Sequence, residues 1–155
     1  MLFLGEYEHA LDPKRRLAVP AEVRSGLNPA IHGAGFVGMP GPNGSLWLWP
    51  EKTFATLAEK LGGSLLADES LTDFERHVFS KAAALPLDGA GRIRIPERLL
   101  SQHGLTDKVM ILGVRDHLEL CSPQHWQQEQ ARLAPAAGDI WRKARAAMSN
   151  KDQRA

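Results

Sequence analysis

Apolar and polar positions along this chain fall into two rhythms. Ile93, Arg94 and Ile95 alternate apolar, polar, apolar, as do Leu17, Ala18 and Val19 in size, the period of a strand with one face buried. Strand pairs are expected at Gly35–Met39 with Ser45–Trp49 and at Val109–Val114 with His117–Cys121. They flank the turn segments PGPNG and Arg115-Asp116. Elsewhere the apolar spacing is helical. Phe54, Leu57 and Leu61 share a face over 51–61, and Leu71, Phe74, Val78 and Ala82 follow a start near Ser70. Ser70-x-x-Asp73 resembles a capping box, with Asp in place of the usual Glu or Gln. Ser122 and Pro123 open a helix over 123–133 carrying Trp126 and Leu133 on a face. A last helix is expected over roughly 136–148, around Ile140, Trp141, Ala144 and Met148, with 149–155 disordered.

One phrase occurs twice. Leu11, Asp12, Arg16 and Pro20 recur as Leu87, Asp88, Arg92 and Pro96, with Leu17/Ile93, Val19/Ile95 and Val23/Leu99 as apolar matches. After each proline comes a short helix closed by Gly26 or Gly104. The chain is therefore a β-turn-β, short helix, hairpin and helix, written twice. Neither copy is large enough to close a core alone. The expected fold class is α+β, β-rich, with the strands of the two copies interleaved into one barrel, an internal pseudo-dimer flanked by helices.

Composition narrows the function. The 155 residues are 43% hydrophobic and 24% charged, as in a soluble globular chain. No apolar run reaches the roughly 20 residues of a membrane span. The single cysteine, Cys121, cannot form an internal disulfide, and the Leu2-Phe3-Leu4 start lacks the basic flank of a signal peptide. A cytoplasmic protein is expected. The net charge of +1 hides asymmetry. Lys14, Arg15 and Arg16 are consecutive, residues 51–79 are acidic on balance, and the chain from Arg132 onward is basic.

The repeated phrase carries the chemistry. Within Asp-x-x-x-Arg, the carboxylate can accept from an N–H two residues on and close an Asx turn. Gly91 can take positive φ in the second copy; the first has Arg15 there, at a strain of roughly 1 kcal/mol in a left-handed conformation. Such turns present N–H groups with a guanidinium, which suits phosphate oxygens, and arginine can read guanine O6 and N7. Alternatively, Asp12–Arg16 and Asp88–Arg92 simply close hairpins as ion pairs. Arg94 faces away from the core, as a solvated position or a DNA contact. In SLWLWP, Trp47 and Trp49 lie on a strand apolar on both faces, one for the core and one for core or a subunit interface.

MLFLGEYEHALDPKRRLAVPAEVR and LPLDGAGRIRIPERLL resemble the two halves of the MraZ family over about residues 1–135. The resemblance implies two SpoVT-AbrB-type halves in a double-split, swapped-hairpin β-barrel. The first repeat would span 5–54, a linker with a helix 55–82 and the second repeat 83–126, with 127–155 a C-terminal helical segment and disordered tail. It implies a transcription factor, generally a repressor, of the bacterial division and cell-wall gene cluster that includes its own gene. This nucleoid-associated protein would be a ring-shaped homo-oligomer binding direct repeats in double-stranded promoter DNA. The D-x-x-x-R signature falls on Asp12 to Arg16 and Asp88 to Arg92. The usual first-copy pattern is D-x-K-G-R, so Arg15 is a departure. Lys14, Arg15, Arg16, Arg92 and Arg94 are the expected DNA contacts, concentrated at Lys14-Arg15-Arg16, with Asp12, Asp88 and Gly91 forming the turns.

Other chemistries lack support. Gly33–Gly38 spells GxGxxG, but Pro40 and Pro42 forbid the helix a dinucleotide site needs. No nucleophile motif is present, and the six histidines have no metal-ligand spacing. Neither catalysis nor a cofactor or metal is expected, nor a small-molecule substrate or membrane partner. The rival class is a ring-forming scaffold or antitoxin-like interaction module, against which the basic tail argues.

Overall fold

The computed structural model describes residues 1–155 and divides into two units, Met1–Ser122 and Pro123–Ala155. The first unit runs β1 (Glu6–Ala10), β2 (Arg16–Ala18), α1 (Ala21–Ser25), α2 (Pro29–His32), β3 (Gly35–Pro40), β4 (Leu46–Pro50), α3 (Glu51–Glu59) and α4 (Glu69–Phe79). It continues with β5 (Ala83–Pro86), β6 (Arg92–Arg94), α5 (Glu97–Gln102), β7 (Lys108–Val114) and β8 (His117–Cys121).

The two copies do interleave. Six strands form an antiparallel sheet in the order β1-β7-β8-β4-β3-β5, so β1 of the first copy pairs β7 of the second, and β5 of the second pairs β3 of the first. The hairpins meet at the centre through Leu46↔Leu120 and Leu48↔Leu118. β2 and β6 pair only with each other, as a separate two-stranded ribbon. The strands thus hydrogen-bond as a six-stranded sheet plus a two-stranded ribbon. The chain changes sheet at each Asp-x-x-x-Arg turn, between β1 and β2 and between β5 and β6.

The core lies between the two layers. Leu17 and Ile93 point inward from the ribbon, Leu46, Leu48, Leu118 and Leu120 from the sheet, and Val23 and Leu99 from α1 and α5; all are at most 3% exposed. Burying each such side chain contributes about 1.5–3 kcal/mol. The repeated apolar positions are therefore the ones that hold the copies together. Pro20 and Pro96 are the N-caps of α1 and α5, with φ fixed at about −55° by the ring and ψ at about 140°, just outside the helical region. Cys121 is buried.

Two helix expectations need correcting. α4 is capped by Asp68, whose side chain accepts from Ser70 N–H at 2.8 Å, so Ser70 is inside the helix. In the second unit, α6 (Pro123–Leu133) leads through a 3-10 turn to α7 (Ala137–Arg154). α7 is helical through the residues expected to be disordered, with Lys151 and Arg154 in its last turn, where they oppose the helix dipole.

Candidate nucleic-acid interface

Both copies build the same turn. Asp12 Oδ1 accepts from Lys14 N–H at 2.9 Å and Arg16 N–H at 2.8 Å, while Oδ2 accepts from Arg16 Nε at 2.6 Å. Asp88 Oδ1 accepts from Ala90 N–H at 2.9 Å and Arg92 N–H at 3.0 Å, and Oδ2 from Arg92 Nε at 2.9 Å. The backbone N–H of Arg16 beside Asp12, and of Arg92 beside Asp88, hold both carboxyls below the usual aspartate value. Partial desolvation opposes this, and the guanidinium contacts add to it. The Asx turn is present in both copies. So is the plain ion pair, and each arginine keeps its Nη donors for another partner.

The turns aim what lies between them. In the β2–β6 ribbon Arg16 is opposite Arg94, Leu17 opposite Ile93, and Ala18 opposite Arg92. Side chains alternate across a strand, so the buried Leu17/Ile93 pair puts Arg16, Ala18, Arg92 and Arg94 together on the outer face. Three of these four positions are arginines. A pseudo-two-fold axis through Leu17 and Ile93 relates Arg16 to Arg92 and Ala18 to Arg94. Sequence reasoning named all three arginines but not their assembly, because the pairing of β2 with β6 joins segments one whole repeat apart.

The symmetry breaks at the fourth turn residue. Arg15 is left-handed, with φ 63°, and Gly91 has φ 75°. Arg15 Nη1 reaches the Glu97 carboxylate at the start of α5, 3.1 Å away. At Gly91 the space is taken by Arg24, whose Nε donates to Val19 C=O at 3.1 Å; a Cβ on Gly91 would lie 2.6 Å from that Nε. Each turn is thus propped by a side chain of the other copy. Glu97 and Arg24 escaped sequence reasoning, as nothing local marks them.

The five expected contacts are therefore unequal. Arg16 and Arg92 are tethered to their aspartates and Arg15 to Glu97. Lys14 and Arg94 make no ion pair, and together with Pro13, Arg15 and Glu97 they line a shallow groove. The groove brings Lys14 and Arg15 of the first copy beside Arg94 of the second. Among the described residues no group of acidic, histidine or cysteine side chains could hold a metal. No helix is long and apolar enough to cross a membrane.

A family model described as "MraZ protein, putative antitoxin-like" matches residues 2–76 and again 78–151. Among named relatives, the "Transcriptional regulator MraZ" of Heliobacterium modesticaldum is 33% identical over 139 residues, covering 90% of this chain and 94% of that protein. The protein of the same name from Thermomicrobium roseum is 36% identical over 137 residues, covering 88% and 92%. That from a Roseiflexus species is 37% identical over 126 residues, covering 81% and 85%.

Proposed function

Because this chain belongs to the MraZ family, we propose that it is a sequence-specific DNA-binding transcriptional regulator that reads DNA with the outer face of the β2–β6 ribbon. The observation that carries this reading is the row of Arg16, Arg92 and Arg94 on one exposed face, held between two rigid Asx turns. A major groove about 12 Å wide admits a two-stranded ribbon. Guanidinium groups can pair with guanine edges, while Lys14 at the ribbon's end is suited to a phosphate.

One ribbon is a small footprint on a chain of net charge +1. The proposed solution is assembly. Several identical ribbons on a ring, meeting direct repeats at matching spacing, gain avidity of about 10²–10⁴ without a new contact. The proposed target is the promoter of the division and cell-wall gene cluster containing its own gene, with repression as the outcome. This regulatory role is not enzymatic.

The test is an anisotropy titration on the upstream region of its own gene at fixed salt, with Arg94→Ala and Lys14→Ala. Neither side chain makes an ion pair, so neither change disturbs the fold. Arg94→Ala is expected to weaken binding by about 5- to 150-fold, equivalent to about 1–3 kcal/mol, and to relax specificity. Lys14→Ala should weaken all sequences alike and reduce the log–log salt slope by about 0.9. Unchanged affinity in both variants would refute the assignment.

A further inference from the structure

Two surfaces of this chain are apolar, exposed and of opposite charge. The first lies in the sheet unit. α3 and α4 pack on β3, and α3 also on β4. They leave a groove of about 540 Å³ lined by Met39, Trp47, Trp49, Phe54, Leu57 and Phe74, among others. That volume is in the range of a true binding cavity, but its edge is not closed. Leu61, Phe74 and Phe79 are 37–47% exposed, and Leu65 and Leu66, between the helices, are each 94% exposed. An apolar patch that extends beyond its cavity marks a macromolecular contact more than a small-ligand site. Its surroundings are acidic: Glu51, Glu59, Asp68, Glu69, Asp73 and Glu75 outnumber Lys52, Lys60 and Arg76.

The second surface is α7. Ile140, Trp141, Ala144 and Met148 fall within an arc of about 100° on an ideal helix. Yet Trp141 is 68% exposed, Met148 58% and Ile140 41%. Arg142, Lys143, Arg145, Lys151 and Arg154 outnumber Asp139 and Asp152 on the same helix. A basic amphipathic helix with an exposed tryptophan complements an acidic apolar groove in both respects.

We propose that α7 of one copy seats its Ile140–Trp141–Met148 stripe in the α3–α4 groove of a second copy. The inference rests on the self-assembly in the proposed function and names the contact that would carry it. Helix and groove are different surfaces, so the contact is heterologous. Every copy offers one of each, and the chain of contacts closes into a ring when the rotation per copy permits. The indoles of Trp47 and Trp49 then form the floor of an interface.

The test uses the full chain without DNA, by light scattering after size exclusion at micromolar concentration. Trp141→Asp spoils the helix and Phe74→Asp spoils the groove. Both positions are exposed, so far-UV circular dichroism should be unchanged. Each variant alone is expected to run as a monomer where the parent chain is a large oligomer. Mixed, they should form a one-to-one heterodimer, because the first retains an intact groove and the second an intact helix. An oligomer unaffected by either substitution, or a mixture that stays monomeric, overturns this contact and leaves ring assembly standing. A monomeric parent chain overturns both. The DNA titration is independent of either result.

Discussion

Replacing Gly91 with alanine probes the inequality of the two turns. The methyl group meets two obstacles. The backbone there is left-handed, with φ 75°, which disfavours any L side chain by about 1–2 kcal/mol. The new Cβ would also sit 2.6 Å from Arg24 Nε and 2.7 Å from its Cδ. Arg24 is flexible and can swing away, but it then gives up its 3.1 Å bond to Val19 C=O, worth about 1 kcal/mol. The alanine recovers about 0.4–1 kcal/mol by stiffening the unfolded chain, so the expected loss of stability is about 1–2.5 kcal/mol, measured as a shift in urea midpoint at constant slope. In an Arg24→Ala background the steric part is gone, and the same substitution should cost about 1 kcal/mol less. Arg15→Gly is the mirror experiment. It relieves the left-handed strain but loses an exposed ion pair worth about 0–1 kcal/mol and loosens the unfolded chain by about 0.4–1 kcal/mol. Its net effect should lie within about 1 kcal/mol of zero. Equal penalties for Gly91→Ala in both backgrounds would refute the role given to Arg24. A penalty below about 0.5 kcal/mol would refute the backbone argument as well.

Further outcomes can be checked directly. Ala18→Arg fills the fourth position of the ribbon face. It should tighten binding to any DNA by about 5- to 10-fold at low salt and steepen the salt slope by about 0.9, read in the same anisotropy titration. The carboxyls of Asp12 and Asp88 titrate lower folded than at the ordinary 3.8. Their stabilisation is therefore present above that value and lost as pH falls through the folded pKa, so the amide signals of Lys14, Arg16, Ala90 and Arg92 should move together in acid, and Asp12→Asn should abolish the change in the first turn only. His117 is buried and stacks on Trp47 and Trp49 at 4.2 and 4.7 Å. Burial disfavours its charge, but hydrogen bonds to Glu119 and Asp116 outweigh that and raise its pKa above 6.5. Its contribution is thus complete below pH 6.5 and lost as pH rises through the raised value; a His117→Gln chain whose urea midpoint keeps the same alkaline decline would contradict this.

Much of the molecule was legible because it is written twice. The duplicated apolar positions, Leu17/Ile93 and Val23/Leu99, are core residues, and the Asp-x-x-x-Arg phrase is the Asx turn it spells. Those features depend on neighbours a few residues apart. What escaped depends on distant ones. The ribbon joins Arg16 to Arg94, and Arg15 meets Glu97 from the other copy, so neither local propensity nor the repeat register reveals them. The division of the strands between a sheet and a ribbon depends on which distant segments pair, which no local pattern of apolar residues encodes. The cap at Asp68 was missed because Ser70 offers an equally good local signal two residues later.

The substitution of alanine at position 18 gives the ribbon a polarity. In a dimer of identical chains, half a turn about the central axis would return the same face. Here that rotation exchanges Arg94 for Ala18 and Arg15 for Gly91, so the face has a head and a tail. If the ribbon reads DNA as proposed, such a face would distinguish the two directions along a duplex. On that reading, sites that all point the same way would match it and an inverted pair would not, so tandem duplication within one chain would do something that dimerisation of two identical chains cannot.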